Sequence, residues 1–237
     1  MKKRSKRYNE ARKEVDREKV YPLDEAVSLL KKIADKKGKL DESVDISINL
    51  GVDPKQSDQS VRGAVVLPAG SGKKIRVLVF AKDEKAEEAQ QAQADYVGAE
   101  ELIEKIKGGW LEFDTIIAVP QMMSSVGKLG KILGRKGLMP NPKTGTVTND
   151  VANAVSDAKK GRAEFKLEKK GALLHASIGR LSFSEDSIKD NLRALMEAVI
   201  KAKPSSAKGT YLKKVTISST MSPGIRLDPS AFLTAGK

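Results

Sequence analysis

The sequence contains no cysteine and a single histidine among its 237 residues. Without thiols it can form neither disulfides nor thiolate metal sites, and one histidine is too few for an imidazole cluster. Aromatic residues make up only 4% of the chain, so the stacking platforms of many single-strand binders are not visible. No apolar run approaches the roughly 18 residues that a membrane-spanning helix needs. We therefore expect no cofactor, no metal site and no membrane partner.

Charged residues are plentiful but unevenly distributed along the chain. Lysine and arginine total 44 against 31 aspartate and glutamate, for a formal net charge of +13. Residues 115–149 and 198–227 carry basic residues and no acidic one, and residues 1–19 hold nine basic residues against four acidic ones. Residues 82–114 instead carry ten acidic and four basic residues, a local charge of −6. The long acid-free stretches favour a nucleic-acid partner over an anionic lipid surface.

The two ends of the chain share one kind of pattern. Apolar residues recur at helical spacing over 23–34 and, after a cap at Ser184, over 188–199. Between and beyond these helices, apolar and polar residues alternate, which is typical of half-buried strands. These predicted strands are Val44–Leu50, Arg62–Leu67, Ala163–Leu167, Ala172–Ile178 and Tyr211–Thr220. The ends of the chain therefore predict an α+β domain.

The middle of the chain follows a different pattern. Lys74–Ala81 and Thr115–Val119 are nearly continuous apolar strands, and helices follow them. One of these helices is predicted over residues 122–132, and another begins at a cap on Asn149 and ends at Lys160. Uninterrupted apolar strands that alternate with helices predict a small parallel sheet covered by helices, a Rossmann-like α/β domain.

We therefore predict two domains, of mixed α/β and α+β class. An outer, split α+β domain comprises residues 1–67 and 161–237, and a Rossmann-like α/β domain comprises residues 68–160 and is inserted between them. The chain crosses between the domains near residues 68–72 and 159–161, where glycines occur. Two glycine-containing crossings on one side of a domain predict a hinge there.

Motifs for catalysis are weak. The segment Gly70-Ser71-Gly72-Lys73 departs from a phosphate-binding loop at two positions and precedes a strand, not a helix. The turn after the first apolar strand, Lys82–Lys85, lacks the glycines that dinucleotide sites use. His175 has no partner that the sequence reveals. We predict no catalytic residue and no enzyme; the alternatives kept open are a nucleotide-using enzyme on the inserted domain and a DNA-binding regulator.

Two segments are candidates for RNA contact. In an extended strand, Thr216, Ser218, Thr220 and Ser222 fall on one face and form a row of hydroxyls, which suit phosphate oxygens and the ribose 2′-OH. Such hydroxyls are equally typical of the solvated face of an edge strand. The second segment is a loop over residues 134–147, in which Arg135, Lys136 and Lys143 are basic. It either faces RNA as a secondary contact or is a structured connection.

Several separated motifs together resemble the bacterial ribosomal protein L1 family, over almost the whole chain from Arg7 to Pro229. The motifs that carry the resemblance are Asp53-Pro54, Ser57-Asp58-Gln59, Val61-Arg62-Gly63, Tyr96-Val97-Gly98, Leu133 to Pro142, Lys208-Gly209-Thr210 and Ser219-Thr220-Met221. The resemblance implies a two-domain protein of the mobile stalk beside the tRNA exit site. It also implies that the protein is a cytoplasmic, ribosomal component, and a monomer away from the ribosome.

The partners implied by this resemblance are large-subunit rRNA, exit-site tRNA and the protein's own operon mRNA. Family members bind rRNA, assist the release of deacylated tRNA and repress translation of their operon. The implied rRNA-binding residues are Lys39, Leu40, Asp41, Glu42, Ser43, Asp45, Glu168, Lys169, Lys170, Thr220, Met221 and Ser222. Two of them depart from the family pattern: Leu40 stands where the family typically has phenylalanine, and Ser222 where it has glycine.

Overall fold

The computed structural model describes residues 5–34, 40–168 and 171–233. The chain forms two compact units. The split unit consists of Met1–Gly72 and Ala163–Lys237, and the inserted unit consists of Lys73–Arg162. The chain thus crosses between the units a few residues after the boundaries expected at 67/68 and 160/161.

Helices and strands alternate through most of the described chain. The helices are α1 (Lys6–Glu14), α2 (Leu23–Ala34), α3 (Glu84–Gln91), α4 (Glu100–Lys107), α5 (Met123–Gly127), α6 (Gly130–Lys136), α7 (Val151–Gly161), α8 (Glu185–Lys201) and α9 (Ser230–Leu233). The strands are β1 (Ser43–Leu50), β2 (Arg62–Val66), β3 (Val77–Phe80), β4 (Tyr96–Gly98), β5 (Thr115–Ala118), β6 (Arg162–Lys166), β7 (Leu173–Arg180), β8 (Leu212–Ser219) and β9 (Ile225–Leu227). Short 3-10 helices lie at Ser57–Gln59, Pro120–Met122 and Pro142–Thr144.

The split unit is built on an antiparallel sheet with the strand order β7-β1-β8-β9, and β2 and β6 form a separate pair. Val44, Ile46 and Ile48 of β1 are buried, as their alternation predicts. They share one core with Leu30 of α2 and Leu192 of α8. Because the buried side chains occupy one face of the sheet, the intervening polar side chains of β1 lie on the opposite face. The split unit therefore has a sheet face on which the polar side chains of β1 are partly exposed.

The inserted unit contains a parallel sheet with the strand order β4-β3-β5. Every residue of β3 is buried. Leu78 and Phe80 lie in a core with α4, α5 and α6, whereas Val77 and Val79 lie in a second core with α3 and α7. Helices therefore cover both faces, which confirms the parallel α/β arrangement predicted from the uninterrupted apolar strands.

Two local predictions in the inserted unit are wrong. Helix α7 is capped by Asp150, whose carboxylate accepts a backbone N–H of the first turn at 3.3 Å, and not by Asn149. The helix predicted over residues 122–132 is interrupted, because α5 ends at Gly127 and α6 begins at Gly130. Glycine has low helix propensity, so a pair of glycines three residues apart is a natural place for a break.

Both termini of the described chain are more structured than their patterns suggest. The basic segment 1–19 contains α1, which begins after a cap by Ser5 and buries Ala11. Beyond Asp228, for which the sequence provides no role, α9 places Phe232 in the core of the split unit. A few apolar side chains are enough to anchor a short terminal helix, and such sparse signals are hard to see in the sequence.

A buried polar side chain anchors the first crossing to the split unit. Asn191 lies on the core side of α8 and is 0% exposed. Its Oδ1 accepts the Ala69 N–H at 2.9 Å, and its Nδ2 donates to Gly70 O at 2.9 Å and Ile178 O at 2.7 Å. Ile178 and Gly179 lie at a β-bulge of β7 opposite β1. One amide therefore holds helix, strand and crossing segment together.

We expect the stability of the split unit to depend on Tyr211 at alkaline pH. Burial raises the pKa of Tyr211 to about 12 from an ordinary value of 10, and its hydroxyl donates to Val199 O at 3.1 Å. Because the folded pKa is the higher one, this stabilisation is present below pH 10 and is lost between about pH 10 and 12. Over this range the free energy of unfolding falls by about 2–3 kcal/mol, because the tyrosine ionises more readily in the unfolded chain than in the buried site.

The measurement is urea unfolding from pH 8 to 12 of the wild type and Tyr211→Phe. At pH 8 the variant should be less stable by about 1 kcal/mol, the value of its lost hydrogen bond. That difference should close and then reverse as the pH approaches 12. A difference that stays constant over the range would contradict the assignment. Since the other ionisable groups are common to both proteins, the comparison isolates Tyr211.

Candidate nucleic-acid interface

The polar face of the split unit's sheet is lined by hydroxyls around a carboxylate. In the register of β1, Asp45 lies opposite Ser177 of β7 on one side and Ser218 of β8 on the other. Ser47, the next outward residue, lies between His175 and Thr216. Directly opposed residues of antiparallel strands point to the same face. The sheet thus presents hydroxyl groups and one carboxylate along β1, which is one of its two inner strands.

Ser43 and Thr220 bring the ends of β1 and β8 together. Ser43 N donates to Thr220 Oγ1 at 3.2 Å, and Thr220 N donates to Ser43 O at 3.1 Å. The two hydroxyl oxygens are 3.0 Å apart, and Ser43 Oγ donates to Asp45 Oδ2 at 2.8 Å. Ser43 and Thr220 are 177 positions apart in the chain. Folding therefore unites two of the sequence-predicted site segments.

The direction of this hydrogen-bond chain follows from counting protons. An ionised Asp45 can only accept, so the single hydroxyl proton of Ser43 is committed to it. In the contact between the hydroxyls of Ser43 and Thr220, the proton must then come from Thr220. The cluster runs from Thr220 through Ser43 to Asp45 and presents acceptor lone pairs to solvent. Such a cluster suits a donor such as the ribose 2′-OH and does not suit a phosphate oxygen.

Glu42, also among the sequence-predicted residues, is 1% exposed. Its Oε2 accepts Ser219 Oγ at 2.6 Å and Met221 N at 3.0 Å, and its Oε1 accepts Arg7 Nη2 at 2.5 Å. Burial acts to raise the pKa of Glu42, but the bonds from Ser219 and Met221 and the Arg7 guanidinium outweigh it and lower the pKa. The side chain is thus an ionised internal brace of the turn after β8.

Asp41 braces the other neighbouring turn. Its carboxylate accepts Ser182 N at 3.1 Å and Ser182 Oγ at 3.0 Å. Arg180 donates from Nη1 to Asp41 O at 2.9 Å and from Nε to Gly72 O at 3.1 Å. These bonds to Ser182 and Arg180 fix the position of Asp41 within the split unit. They thereby also fix the backbone just before β1.

Two large apolar side chains stand exposed beside the hydroxyl cluster. Leu40 is 67% exposed and Met221 is 53% exposed. Leu40 precedes β1, and Met221 follows Thr220 in the turn after β8. Single exposed apolar residues are common on protein surfaces, but these two occur in the segments already singled out. Both side chains are available for apolar contact, and neither carries an aromatic ring for stacking.

The expected row of four hydroxyls is only partly correct. Thr216 and Ser218 lie outward on β8, but the strand ends at Ser219. Ser222 folds back in a turn, where its Oγ accepts Ser219 N at 2.8 Å and donates to Pro223 O at 3.2 Å. The row therefore stops at Thr220, and the Ser222 hydroxyl closes the turn. Proline at the next position and the braces from Glu42 make continuation of the strand unfavourable.

Glu168 and His175 lie together near the same sheet face. Glu168 Oε1 is 3.8 Å from His175 Nε2, and both side chains are more than half exposed. The sequence revealed no partner for His175, and this carboxylate is one that only the fold brings near. Lys39, Lys169 and Lys170, three further residues implied by the resemblance, lie outside the described residues.

The three basic residues predicted as secondary RNA contacts lie on and after α6. Arg135 and Lys136 are exposed in its last turn, where a positive charge favours the helix dipole. The predicted loop over 134–147 therefore begins in a helix, which ends at Lys136 and is capped by Gly137 with a φ of 74°. Beyond it, Thr146 Oγ1 accepts Asn141 N at 2.8 Å. Lys143 lies in a short 3-10 helix, and its side chain is outside the described part of the structure.

The described residues were compared with the requirements of metal sites and of membrane-spanning helices. The described residues contain no group of three or more His, Asp or Glu side chains placed to hold a metal ion. No helix within residues 5–34, 40–168 and 171–233 combines the length and the apolarity required to cross a bilayer. The hydroxyl cluster of Ser43, Asp45 and Thr220, with Leu40 and Met221 beside it in the sequence, is the candidate site that the contacts support.

Residues 30–223 match the sequence profile of the ribosomal protein L1p/L10e family. The chain belongs to this family. As an L1 protein it is a structural component of the large ribosomal subunit that binds rRNA, and its family is not one of enzymes. The match spans every sequence-predicted contact residue, from Lys39 to Ser222. Residues 1–29 lie outside the matched range.

Sequence reasoning missed the residues that hold this L1 surface in place. Arg7 is 35 positions from Glu42, and nothing in their local sequence signals the pair. Asn191 did have a signal, because an asparagine lies on the apolar face of α8 between Ile188 and Leu195. A polar residue at such a position predicts a buried hydrogen-bonding role.

Proposed function

We propose that this L1 protein binds 23S-type rRNA of the mobile stalk through the split unit, with the hydroxyl cluster of Ser43, Asp45 and Thr220 at the centre of the contact. The observation that carries the proposal is the direction of the cluster's hydrogen bonds, which leaves acceptors facing solvent. Leu40 and Met221 supply apolar contact beside it. Glu42 and Ser222 act on the RNA indirectly, by shaping the turn after β8.

Affinity and selectivity come from different groups in this proposal. Lys213, Lys214 and Arg226 are exposed on or beside the polar sheet face and release counterions from the RNA. Thr220 and Asp45 accept from ribose hydroxyls or base N–H groups, which DNA backbones and phosphates cannot imitate fully. Glu168, Lys169 and Lys170 are further proposed RNA contacts, and of these three residues the structure describes Glu168.

Removing the Thr220 hydroxyl tests the proposal directly. Thr220→Val keeps the side-chain shape but loses the acceptor, so we expect binding to a folded rRNA fragment to weaken by about 1–3 kcal/mol. Thr220→Ser, which retains the hydroxyl, should keep most of the affinity. Calorimetric titration with the fragment measures both. Equal affinity for wild type and Thr220→Val would return Thr220 to the ordinary role of a solvated strand-end residue.

A matched nucleic acid separates RNA binding from DNA binding. A duplex DNA of the same length and sequence offers phosphates to the same basic residues but lacks the 2′-OH. We expect it to displace the rRNA fragment only at large excess. Equal competition would favour a DNA-binding regulator and contradict the 2′-OH contact.

The remaining family functions are also proposed for this chain. They are assistance in releasing deacylated tRNA from the exit site and repression of its own operon through an mRNA that imitates the rRNA site. Arg135, Lys136 and Lys143 are the proposed secondary RNA contacts, and a cytoplasmic location accompanies a ribosomal role. Competition between the rRNA fragment and the operon leader for one protein tests repression. Simultaneous binding of both would contradict a shared site.

A hinge at the crossings near 68–72 and 159–161 is part of the same proposal. Gly70, Gly72 and Gly161 have φ values of 76°, 70° and 105°, which only glycine adopts readily. Hinges commonly consist of a few such residues that absorb changes in backbone angle. Since Asn191 and Arg180 hold the carbonyls of Gly70 and Gly72, we propose that bending at the first crossing occurs at its end, beyond these two bonds.

A further inference from the structure

Among the described residues of the basic N-terminal segment, Arg7 is the one whose guanidinium reaches Glu42. Its Nη2 lies 2.5 Å from Glu42 Oε1, and the arginine is only 29% exposed. Arg7 lies on α1, before the start of the range that matches the L1 family. A basic residue in such a segment would ordinarily be assigned to phosphate contact. Its geometry indicates a different role.

Glu42 links Arg7 to the turn that presents Thr220. One carboxylate oxygen faces Arg7, and the other accepts Ser219 Oγ and Met221 N. Ser219 and Met221 flank Thr220 on both sides. The position of the Thr220 hydroxyl therefore depends on where the Glu42 carboxylate lies.

The buried carboxylate needs its cation. A charge that is 1% exposed is costly unless it is paired, and removal of one partner of such a pair leaves the other uncompensated. Without Arg7, Glu42 would take up a proton or turn toward solvent. Turning would release Met221 N and Ser219 Oγ, and protonation would weaken both bonds. Either change loosens the turn beside Thr220.

We propose that Arg7 is a positioning residue for RNA binding, which acts through Glu42 to hold the Ser219–Ser222 turn and makes no phosphate contact. Through Arg7, helix α1 thereby contributes to RNA recognition. This inference rests on the proposed rRNA site, because the turn matters for binding only if Thr220 contacts RNA.

The test compares two matched variants in the full chain. Arg7→Met and Arg12→Met remove the same charge from the same helix, but Arg12 is exposed and has no ion pair among the described residues. Binding to the rRNA fragment is measured from 50 to 300 mM salt. For Arg7→Met we expect a loss of roughly 10- to 100-fold at every salt concentration, with the salt slope unchanged. Arg12→Met should cost much less.

Rescue distinguishes positioning from contact. In the double variant Arg7→Met with Glu42→Gln, the side chain at 42 is neutral and its oxygen still accepts from Ser219 and Met221. We expect this variant to regain part of the lost affinity, because no unpaired charge is left to turn toward solvent, although a neutral oxygen accepts more weakly than a carboxylate. Hydrogen exchange of the Met221 amide in the free protein should be faster in Arg7→Met and return toward the wild-type rate in the double variant.

Each contrary outcome has a definite meaning. A salt slope that falls by about 0.9 in Arg7→Met, without rescue by Glu42→Gln, would make Arg7 a phosphate contact and overturn the inference. Unchanged binding and unchanged Met221 exchange in Arg7→Met would overturn it as well. Failure of the wild type to bind the fragment would instead refute the proposed function, whereas the exchange measurement would still report on the Arg7–Glu42 brace.

Discussion

Asn191→Leu should lower the free energy of unfolding of the split unit by about 2–4 kcal/mol. Leucine has nearly the same shape, so the loss comes from hydrogen bonds and not from a cavity. Ile178 O loses its donor in a buried environment, and Ala69 N and Gly70 O lose partners at partly buried positions where water can replace them in part. The buried carbonyl therefore accounts for the largest share.

Urea unfolding with hydrogen exchange of individual amides measures this effect and locates it. The Ala69 amide, which donates to Asn191, should exchange faster in the variant. Asn153→Leu is the matched control, since Asn153 makes its bonds to Asp150 on an exposed helix end; its cost should stay below about 1 kcal/mol. Equal effects at the two positions would show that the buried amide does not brace the crossing.

Much of the fold could be predicted because burial imposes periodicity. The alternation of Val44, Ile46 and Ile48 predicted β1 and its buried face, and the unbroken apolar run of β3 predicted a strand covered on both faces. Both signals are local: they need only the spacing of apolar residues along one segment. The position of helix ends was less predictable, as the cap at Asp150 shows, because neighbouring Asn149 is an equally good cap by composition.

The sequence predicted which residues belong to the candidate site, but not the hydrogen bonds between them. The motif residues Ser43 and Thr220 were both named, yet their hydrogen bond depends on the pairing of β1 with β8 across 177 positions. The exposure of the members could not be predicted either, because Leu40 and Glu42 are two residues apart and yet one is largely exposed and the other buried. Pairing register and turn geometry decide these outcomes, and neither has a local signature.

At the end of β8, the alternation of inward and outward side chains was extrapolated beyond the last residue of the strand. Alternation correctly places Thr216 and Ser218 outward, but it assumes that the strand continues. Ser219 is the last strand residue, and Ser222 closes the following turn. Serine is as common in turns as on strand faces, since its hydroxyl can bond to nearby backbone groups. The hydroxyl row thus ends where the backbone leaves the sheet.

Salt should weaken rRNA binding more than any single substitution. If six phosphates are neutralised, the logarithm of the binding constant falls with the logarithm of salt concentration at a slope of about −4 to −5. Raising salt from 50 to 200 mM should then reduce affinity by roughly 250- to 1,000-fold. The acid-free stretch 198–227, with six basic residues, supplies much of this charge. Arg7 and Arg180 should contribute little, because they are paired with Glu42 and Asp41.

Two variants show which side chains determine the salt dependence of rRNA binding. Lys214 is exposed opposite Asn49 on the polar sheet face, so Lys214→Gln should weaken binding to every RNA and reduce the slope by about 1. Thr220→Val should weaken binding to the specific fragment and leave the slope unchanged, because it removes no charge. A wild-type slope near −1 would mean that phosphate contacts provide little of the affinity. In that case the basic charge would serve a purpose other than RNA binding by this face.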